Sequence, residues 1–424
     1  MRLIASIVSY LLLLSFLSFQ SASYAFTYNV TGSHSEGSSD NAKKSISRLN
    51  EFAQEYLLNI EVLESQEGPY SDRVAQELLS LGMLYQNHGK HQQAIEAFKR
   101  SLHLKRINEG LYNLGQVPIV EKLIDSFLAQ QNWRSADDRF KYLNWLYQRN
   151  YENDAIELYP FTMQMANWHL KSFSLNRLKE PALDLLKSYY GYMQAVDILT
   201  KAYGPNDLRL ISSIRGSLLV NYLIATSNLR YNDLEVSDNG QVSGGVNGII
   251  TKMGHLKNRS LKQGVILINQ EIDIYAAQPE VDYHLVTASK LKLADWFLMY
   301  GRRETAMEHY QKAYQYMTEH INDGQVIEQT FARTVVLPNF ENMKLSASVV
   351  LSDTKPNTDV DYIHASLDVT RFGTAKNVKI IDSNLTSNAT RTRVLRTIRK
   401  AKYRPIIADG NVIASAQVQL HIVP

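Results

Sequence analysis

The sequence LGMLYQNHGKHQQAIEAFKRS, residues 81–101, shares a spacing with LADWFLMYGRRETAMEHYQKA, residues 293–313. In each stretch a small residue is followed by glycine after seven positions, alanine after twelve, an aromatic residue after sixteen and a second small residue after nineteen. A spacing repeated in this way indicates one structural unit that the chain uses more than once. The matched positions are Gly82, Gly89, Ala94, Phe98 and Ser101 in the first stretch and Ala294, Gly301, Ala306, Tyr310 and Ala313 in the second.

The spacing predicts a hairpin of two helices. Apolar residues recur at intervals of three and four, which is typical of amphipathic helices that pack on a core. Gly89 and Gly301 are expected to end the first helix of each hairpin, because glycine adopts the left-handed backbone of a helix cap without strain. Small residues on the facing helices let the two axes approach closely, and the aromatic residue fills the neighbouring gap.

This order of small and aromatic residues resembles the tetratricopeptide repeat (TPR). Weaker copies of the pattern run over residues 142–159 and 183–202, and the second is followed by Gly204 and Pro205. The resemblance implies that residues 42–325 form an α-helical solenoid of stacked hairpins whose concave side binds a protein or peptide. Because this function follows from the fold by analogy, it is a hypothesis.

Beyond Phe331 the apolar residues alternate, which predicts strands instead of helices. Residues 326–359 are expected to form a linker or transition, and residues 360–424 a separate small α+β domain with the order β-β-α-β. The predicted elements are strands over 362–370 and 375–381 joined by a turn at Gly373, a helix over 390–401 and a strand over 412–423.

Three stretches of this region, RFGTAKNVKIIDS, KYRPIIADG and ASAQVQLHIV, resemble the TonB carboxyl-terminal domain family. The resemblance implies a periplasmic domain that contacts partner proteins, often at the outer membrane, through strand addition to a sheet edge and through neighbouring surfaces. The energy transducers of that family also need a retained membrane helix and a long proline-rich spacer, whereas this chain has only ten scattered prolines. The expected fold class is therefore mainly α: a TPR-like helical-hairpin solenoid followed by a small TonB-like α+β domain.

The first 25 residues have the pattern of a secretory signal peptide, with a basic start, an apolar run over residues 3–19 and small residues at positions 23 and 25. The alternative is an uncleaved membrane anchor, since the apolar run approaches the length of a spanning helix. Residues 26–41, rich in Ser, Gly and Asn, are interpreted as a flexible leader. These features predict a periplasmic protein or, if the leader is retained, one anchored in the inner membrane and facing the periplasm.

The sequence predicts no catalytic, cofactor or metal site. The chain has no cysteine, and it lacks the motifs of serine hydrolases, zinc metalloproteases, P-loops and dinucleotide-binding folds. His88 and His91 are spaced as helix neighbours without a nearby third metal ligand, and His364 and His421 are interpreted as surface residues of neighbouring strands. With 45 basic and 42 acidic side chains, the overall charge does not indicate nucleic acid.

A basic run over residues 391–404 contains no acidic side chain. It is interpreted as a solvated helix face, or as a site that attracts an acidic partner, peptidoglycan or lipid phosphate by its local field.

The sequence thus predicts a non-enzymatic periplasmic scaffold or adaptor for protein–protein interaction, accessory to a TonB-type envelope system. Two alternatives stay open: a TonB-type energy transducer component, and an enzyme whose site the sequence does not reveal. Periplasmic or outer-membrane proteins are the expected partners, with membrane contact only through an uncleaved leader. Partner contacts are predicted at polar positions of the first helices and at the basic run, namely Gln86, Lys290, Asp295, Arg396, Arg399 and Tyr403.

Overall fold

The computed structural model describes residues 38–175, 181–227, 245–338 and 362–422. The predicted signal peptide (1–25) and most of the predicted leader lie outside these ranges. No helix within them is both long enough and apolar enough to span a bilayer. The helices are α1 (Ser38–Glu67), α2 (Asp72–Asn87), α3 (His91–Glu109), α4 (Val117–Ala129), α5 (Trp133–Asn150), α6 (Tyr159–Leu175), α7 (Pro181–Tyr203), α8 (Leu210–Thr226), α9 (Gly245–Ala276), α10 (Tyr283–Met299), α11 (Arg303–His320), α12 (Gly324–Phe331) and α13 (Asn388–Lys400).

Helices α1 to α12 form a continuous array in which neighbours in sequence pack against each other. Each helix from α1 to α4 packs against the next one, and so does each helix from α6 to α11. Trp168 of α6 joins the two runs, because its ring lies 4.6 Å from that of Phe140 in α5, measured between centroids. The array therefore has the predicted TPR-like arrangement of stacked helical hairpins.

The two stretches with the shared spacing fold as the hairpins α2–α3 and α10–α11. Gly89 and Gly301 lie between the paired helices with φ of 71° and 75°, the left-handed conformation expected of a cap. A Cβ atom at Gly82 would overlap the ring of Phe98, so glycine is needed for the close approach of α2 and α3. The predicted hairpin geometry is confirmed at both places.

The prediction of a further hairpin over residues 183–202 is wrong. These residues belong to one uninterrupted helix, α7. Gly191 does not end this helix; it lets α7 pack closely on Ala166 of α6, whose Cβ would lie 3.0 Å from a Cβ at position 191. The copy over residues 142–159 is also irregular, since Ala155 precedes a short 3₁₀ turn, Ile156–Leu158, that leads into α6.

The carboxyl-terminal region contains a three-stranded antiparallel sheet of β2 (Ile363–Val369), β3 (Ala375–Ser383) and β7 (Ser415–Ile422), in the order β3-β2-β7. Strand β2 alternates between buried and half-buried residues, and its buried side packs with Val394 and Ile398 of α13. His364 and His421 are backbone partners across β2 and β7. The short strands are β1 (Val335–Leu337), β4 (Lys402–Arg404), β5 (Ile406–Ala408) and β6 (Asn411–Ile413).

The short strands attach this sheet region to the array. Strand β1, within the segment predicted as a linker, pairs antiparallel with β4, and β5 pairs with β6. Leu337 and Ile407 are buried in one apolar cluster with Tyr310 of α11 and Phe331 of α12. The boundary at residues 326–359 stays a prediction. Within that segment, β1 pairs with β4 of the sheet region, and its residue Leu337 packs against the array.

Candidate functional site

A groove with a volume of about 1410 Å³ lies in the second half of the array, between α6 and α12. Most of its wall residues come from α6, α7, α8 and α10, and Met317 of α11, Thr330 of α12 and Arg404 of β4 complete the wall. Helices α6, α8 and α10 are the first members of successive hairpins, which is where the concave side of a hairpin solenoid is expected. The groove is therefore the candidate binding surface of the array.

Three large apolar side chains of the groove are exposed to solvent. Tyr203, Leu208 and Leu285 have exposed fractions of 45%, 49% and 39%. Half-buried apolar residues such as Ile156 and Met163 continue the same wall. Contiguous exposed apolar surface rimmed by polar groups marks interaction sites on otherwise well-packed proteins.

A buried charge cluster lies under the wall formed by α8 and α10. The carboxylate of Glu271 in α9 is fully buried and accepts hydrogen bonds from Lys292 Nζ at 2.8 and 2.9 Å. It also accepts from Arg215 Nε at 3.0 Å and Nη2 at 2.9 Å. Two cationic side chains therefore meet one buried carboxylate at this part of the groove. Both Arg215 and Lys292 line the groove, so their side chains are within reach of a bound segment.

A second buried cluster joins the array to the sheet region. Asp295 of α10 accepts hydrogen bonds from Arg404 Nε at 2.9 Å and from the Tyr310 hydroxyl at 2.7 Å. Burial, followed by the charge of Asp295, raises the pKa of Tyr310 well above its usual value. Burial acts to lower the pKa of Arg404, but attraction and hydrogen bonding from Asp295, with help from Tyr310, outweigh it and raise that pKa. The cluster is thus a fixed ion pair.

The residues predicted as partner contacts on the first helices are not free surface positions. Gln86 is half-buried and donates to the Lys122 carbonyl at 2.9 Å and the Ser126 hydroxyl at 2.7 Å, so it connects α2 to α4. Lys290 is half-buried, and its Nζ lies 4.6 Å from the centre of the Tyr316 ring. Burial lowers its pKa, and the charge of Asp273 opposes this.

Asp295 was expected to be exposed, and that expectation is wrong because its carboxylate is committed to Arg404 and Tyr310. Tyr403 is fully buried, and its hydroxyl donates to the Ile398 carbonyl at 2.9 Å. Whether these residues contribute to partner binding stays a prediction.

Arg396 and Arg399 differ from the others, since both are exposed on α13. The sequence analysis did not identify Tyr203, Leu208 and Leu285 as binding-surface residues. The only local signal was the helix-breaking pair Gly204-Pro205 beside Tyr203, which marks a place where the chain leaves a helix.

A buried Ser, His and Asp also meet between α6 and α7. His169 Nδ1 lies 2.9 Å from Asp184 Oδ1, and the Ser172 hydroxyl donates to Asp184 Oδ2 at 2.8 Å. Nucleophilic catalysis needs the hydroxyl to donate to the histidine and to face the substrate. Here the hydroxyl donates to the carboxylate and all three side chains are buried, so the arrangement serves packing. In the described ranges no group of three or more His, Asp and Glu side chains is placed to hold a metal ion.

The fold and groove define the class: a TPR-like helical-hairpin array that carries a small sheet region. No family model matches the chain, and no curated protein matches it. Among solved structures, a protein of Podosopora anserina with nearly identical, TPR-like repeats of the kinesin light chain type aligns at 13% identity, with a TM-score of 0.37, over 59% of this chain and 98% of that one. BtubC (BKLC) from P. vanneervenii aligns at 10% identity, with a TM-score of 0.35, over 74% of this chain and 98% of that one.

Proposed function

We propose that this chain is a non-enzymatic binding protein whose helical array holds a segment of a protein partner in the groove between α6 and α12. The observation that carries the proposal is the groove itself, where exposed Tyr203, Leu208 and Leu285 lie above a charged floor. Apolar side chains of a partner would displace water from this wall, which is the main source of affinity in such grooves.

The floor favours a particular kind of segment. Arg215 and Lys292 line the groove with side chains that are 32% and 24% exposed, so a carboxylate or backbone carbonyl of the partner would lie next to two cationic donors. A segment with apolar side chains next to an acidic group therefore fits both the wall and the floor.

The proposal also places the protein in the periplasm, as an adaptor that works with a TonB-type envelope system. Its support is the signal-like pattern of residues 1–25 and the TonB-like stretches between residues 371 and 423. Fractionation of expressing bacteria, with mass measurement of the mature amino terminus, tests this location. Release into the periplasm with a start at Phe26 is expected. A mature protein that starts at Met1 and sediments with the inner membrane would instead favour the energy transducer component.

The groove is tested by substitution of its exposed apolar residues. Peptides selected from a displayed random library on the wild-type protein would be synthesised, and their Kd measured by fluorescence anisotropy against Leu208→Glu/Leu285→Glu. Loss of two apolar contacts should weaken binding by about tenfold or more. The matched control is Val62→Glu/Ile107→Glu, which places the same charges at exposed apolar positions of α1 and α3, away from the groove.

The control variant is expected to bind like wild type. Selected peptides that bind the groove variant and the control variant equally well would contradict the proposed site. Circular dichroism of both variants shows whether each keeps its helical content, so that unfolding is not mistaken for lost binding.

A further inference from the structure

The sheet region carries a strong positive charge that the whole-chain balance conceals. Residues 362–422 contain ten basic side chains and three acidic ones, whereas the complete chain has a net charge of only +3. A local excess of positive charge of this size creates an electrostatic field that attracts anionic partners before they touch the protein. The position of these cations on the fold decides which partner they can meet.

Helix α13 presents several of the cations as one exposed stripe. Val394 and Ile398 are buried and face the sheet. On the opposite face lie Arg393, Arg396 and Lys400, at spacings of three and four residues, which places neighbouring side chains roughly 5–6 Å apart. Arg399 is exposed beside them. The stripe is therefore a compact row of positive charges on the outside of the molecule.

Acidic side chains of the sheet region do not neutralise this stripe. Asp382 and Asp368 pair in register with His364 and Lys376, on the sheet face away from α13. Asp368 accepts from Asn377 Nδ2 at 2.6 Å and from the Gln417 amide at 3.0 Å. Within the described part of the chain, none of the four exposed α13 cations forms an ion pair.

Stabilisation of the helix explains only part of the stripe. Cations in the last turn interact favourably with the carboxyl end of a helix, which accounts for Arg399 and Lys400. Arg393 and Arg396 lie before that turn, where the effect has fallen off, so the helix end does not account for them.

We propose that the exposed face of α13 binds the surface of an anionic phospholipid bilayer. Between the cations this face has only small polar or small side chains, including Ala389, Thr392 and Thr397. A protein partner would need a buried aromatic or aliphatic anchor, and single-stranded nucleic acid would need aromatic rings for base stacking. A plane of lipid phosphates needs only charge, and each Lys or Arg held near it adds to the binding. Since the face has no large apolar residue, α13 lies on the headgroups without inserting.

This surface is separate from the groove, and it would orient the array relative to a membrane. Vesicle co-sedimentation tests it with the chain from Phe26 onward, which retains every described element and excludes the apolar residues 3–19. The protein is expected to sediment with vesicles of phosphatidylglycerol and phosphatidylcholine, and to remain in the supernatant with phosphatidylcholine alone. The association should disappear at high salt, because exposed charges are screened.

The deciding comparison uses two variants that lose the same charge. Arg393→Gln/Arg396→Gln should bind the anionic vesicles about 30-fold more weakly, from the loss of two surface cations. Lys376→Gln/Lys379→Gln, on the opposite face of the sheet, should bind like wild type. Arg393→Lys/Arg396→Lys should restore binding, since the charge and not the guanidinium shape is what the lipid surface needs.

If the two glutamine variants lost vesicle binding equally, the proposal would be overturned, because the binding would then depend on the net charge of the protein and not on the face of α13. Equal sedimentation with neutral vesicles would also overturn it. Binding of a DNA duplex by the wild-type chain without binding of anionic vesicles would assign the stripe to nucleic acid instead.

Discussion

Arg404 of β4 and Asp295 of α10 lie 109 residues apart in sequence and form a buried ion pair, with Arg404 Nε 2.9 Å from Asp295 Oδ1. The exposed fractions of their side chains are 14% and 6%. The pair helps to fix the position of the sheet region against the array, together with the apolar contacts of Leu337 and Ile407, and both residues line the groove. The groove and the sheet region thus share this ion pair.

Substitution of Asp295 tests the importance of that contact. Asp295→Asn leaves the Arg404 charge buried without a counter-charge, so the free energy of unfolding should fall by about 3–5 kcal/mol. Asp197→Asn is the matched control: its partner Lys201 lies at 3.2 Å on the exposed face of α7, and its loss should cost less than about 1 kcal/mol. Chemical denaturation of both variants gives the comparison.

Replacement of both residues of the pair distinguishes the cost of an unpaired buried charge from the cost of lost packing. Asp295→Leu/Arg404→Met removes both charges, and it should recover most of the stability lost in Asp295→Asn. Equal destabilisation in Asp295→Asn and Asp197→Asn would contradict the structural role of the pair.

The isolated sheet region offers a second test. A fragment of residues 330–424 keeps its own core, which includes Leu367, Ile398 and Tyr403, and it should fold with mixed helix and strand signal in circular dichroism. It should melt at a lower temperature than the same region in the full chain, because Leu337 and Ile407 lose their contacts with α11 and α12. A fragment that stays unfolded unless the array is added would refute the boundary at residues 326–359.

Local spacing predicted the hairpins because their contacts are set by offsets along the chain. Gly82 and Phe98 are sixteen positions apart, and this spacing alone places the ring against the glycine. The turn at Gly373 and the helix near residues 390–401 follow from equally local patterns. In residues 183–202 the same reasoning failed: the chain continues as one helix, in which Gly191 packs on Ala166.

The site was harder to predict, since it depends on contacts between distant residues. Asp295 lies on the first helix of its hairpin, where a polar residue is normally exposed. No residue near it in the sequence indicates that it pairs with Arg404. Tyr203, Leu208 and Leu285 look like ordinary core residues in sequence, and only the assembled array leaves them open to solvent. Arg396 and Arg399 were recognised because a run of cations is visible locally.

Two glycines of α9 provide a matched pair for the packing of the array. A Cβ at Gly264 would overlap the ring of Trp296, whereas a Cβ at Gly254 meets open space. Gly264→Ala should therefore destabilise the protein by about 1–3 kcal/mol through overpacking. Gly254→Ala should stabilise it by about 0.5–1 kcal/mol through helix propensity. Thermal unfolding of the two variants checks the prediction, and shifts in the same direction would contradict it.

Acid should weaken the array through His309 of α11, whose ring stacks on Phe297 with 4.9 Å between centroids. Burial lowers the pKa of His309, and the charge of Lys312 adds to this, while Glu308 opposes it. The unfolded chain therefore takes up the proton at a higher pH than the folded chain does. Stability contributed by neutral His309 is present above the usual histidine pKa of about 6.5, and it is lost as the pH falls from there through the lower pKa of the folded protein.

The measurement compares chemical denaturation from about pH 8 to about pH 5, a range that brackets the histidine titration. Wild type should lose more stability over this range than His309→Gln, because the glutamine cannot take up the proton. His103→Gln, at an exposed position of α3, removes a histidine without disturbing the Phe297 contact and should follow the wild-type profile. If His309→Gln follows the same profile as wild type, His309 does not carry the acid sensitivity, and the loss of stability would have to come from other groups.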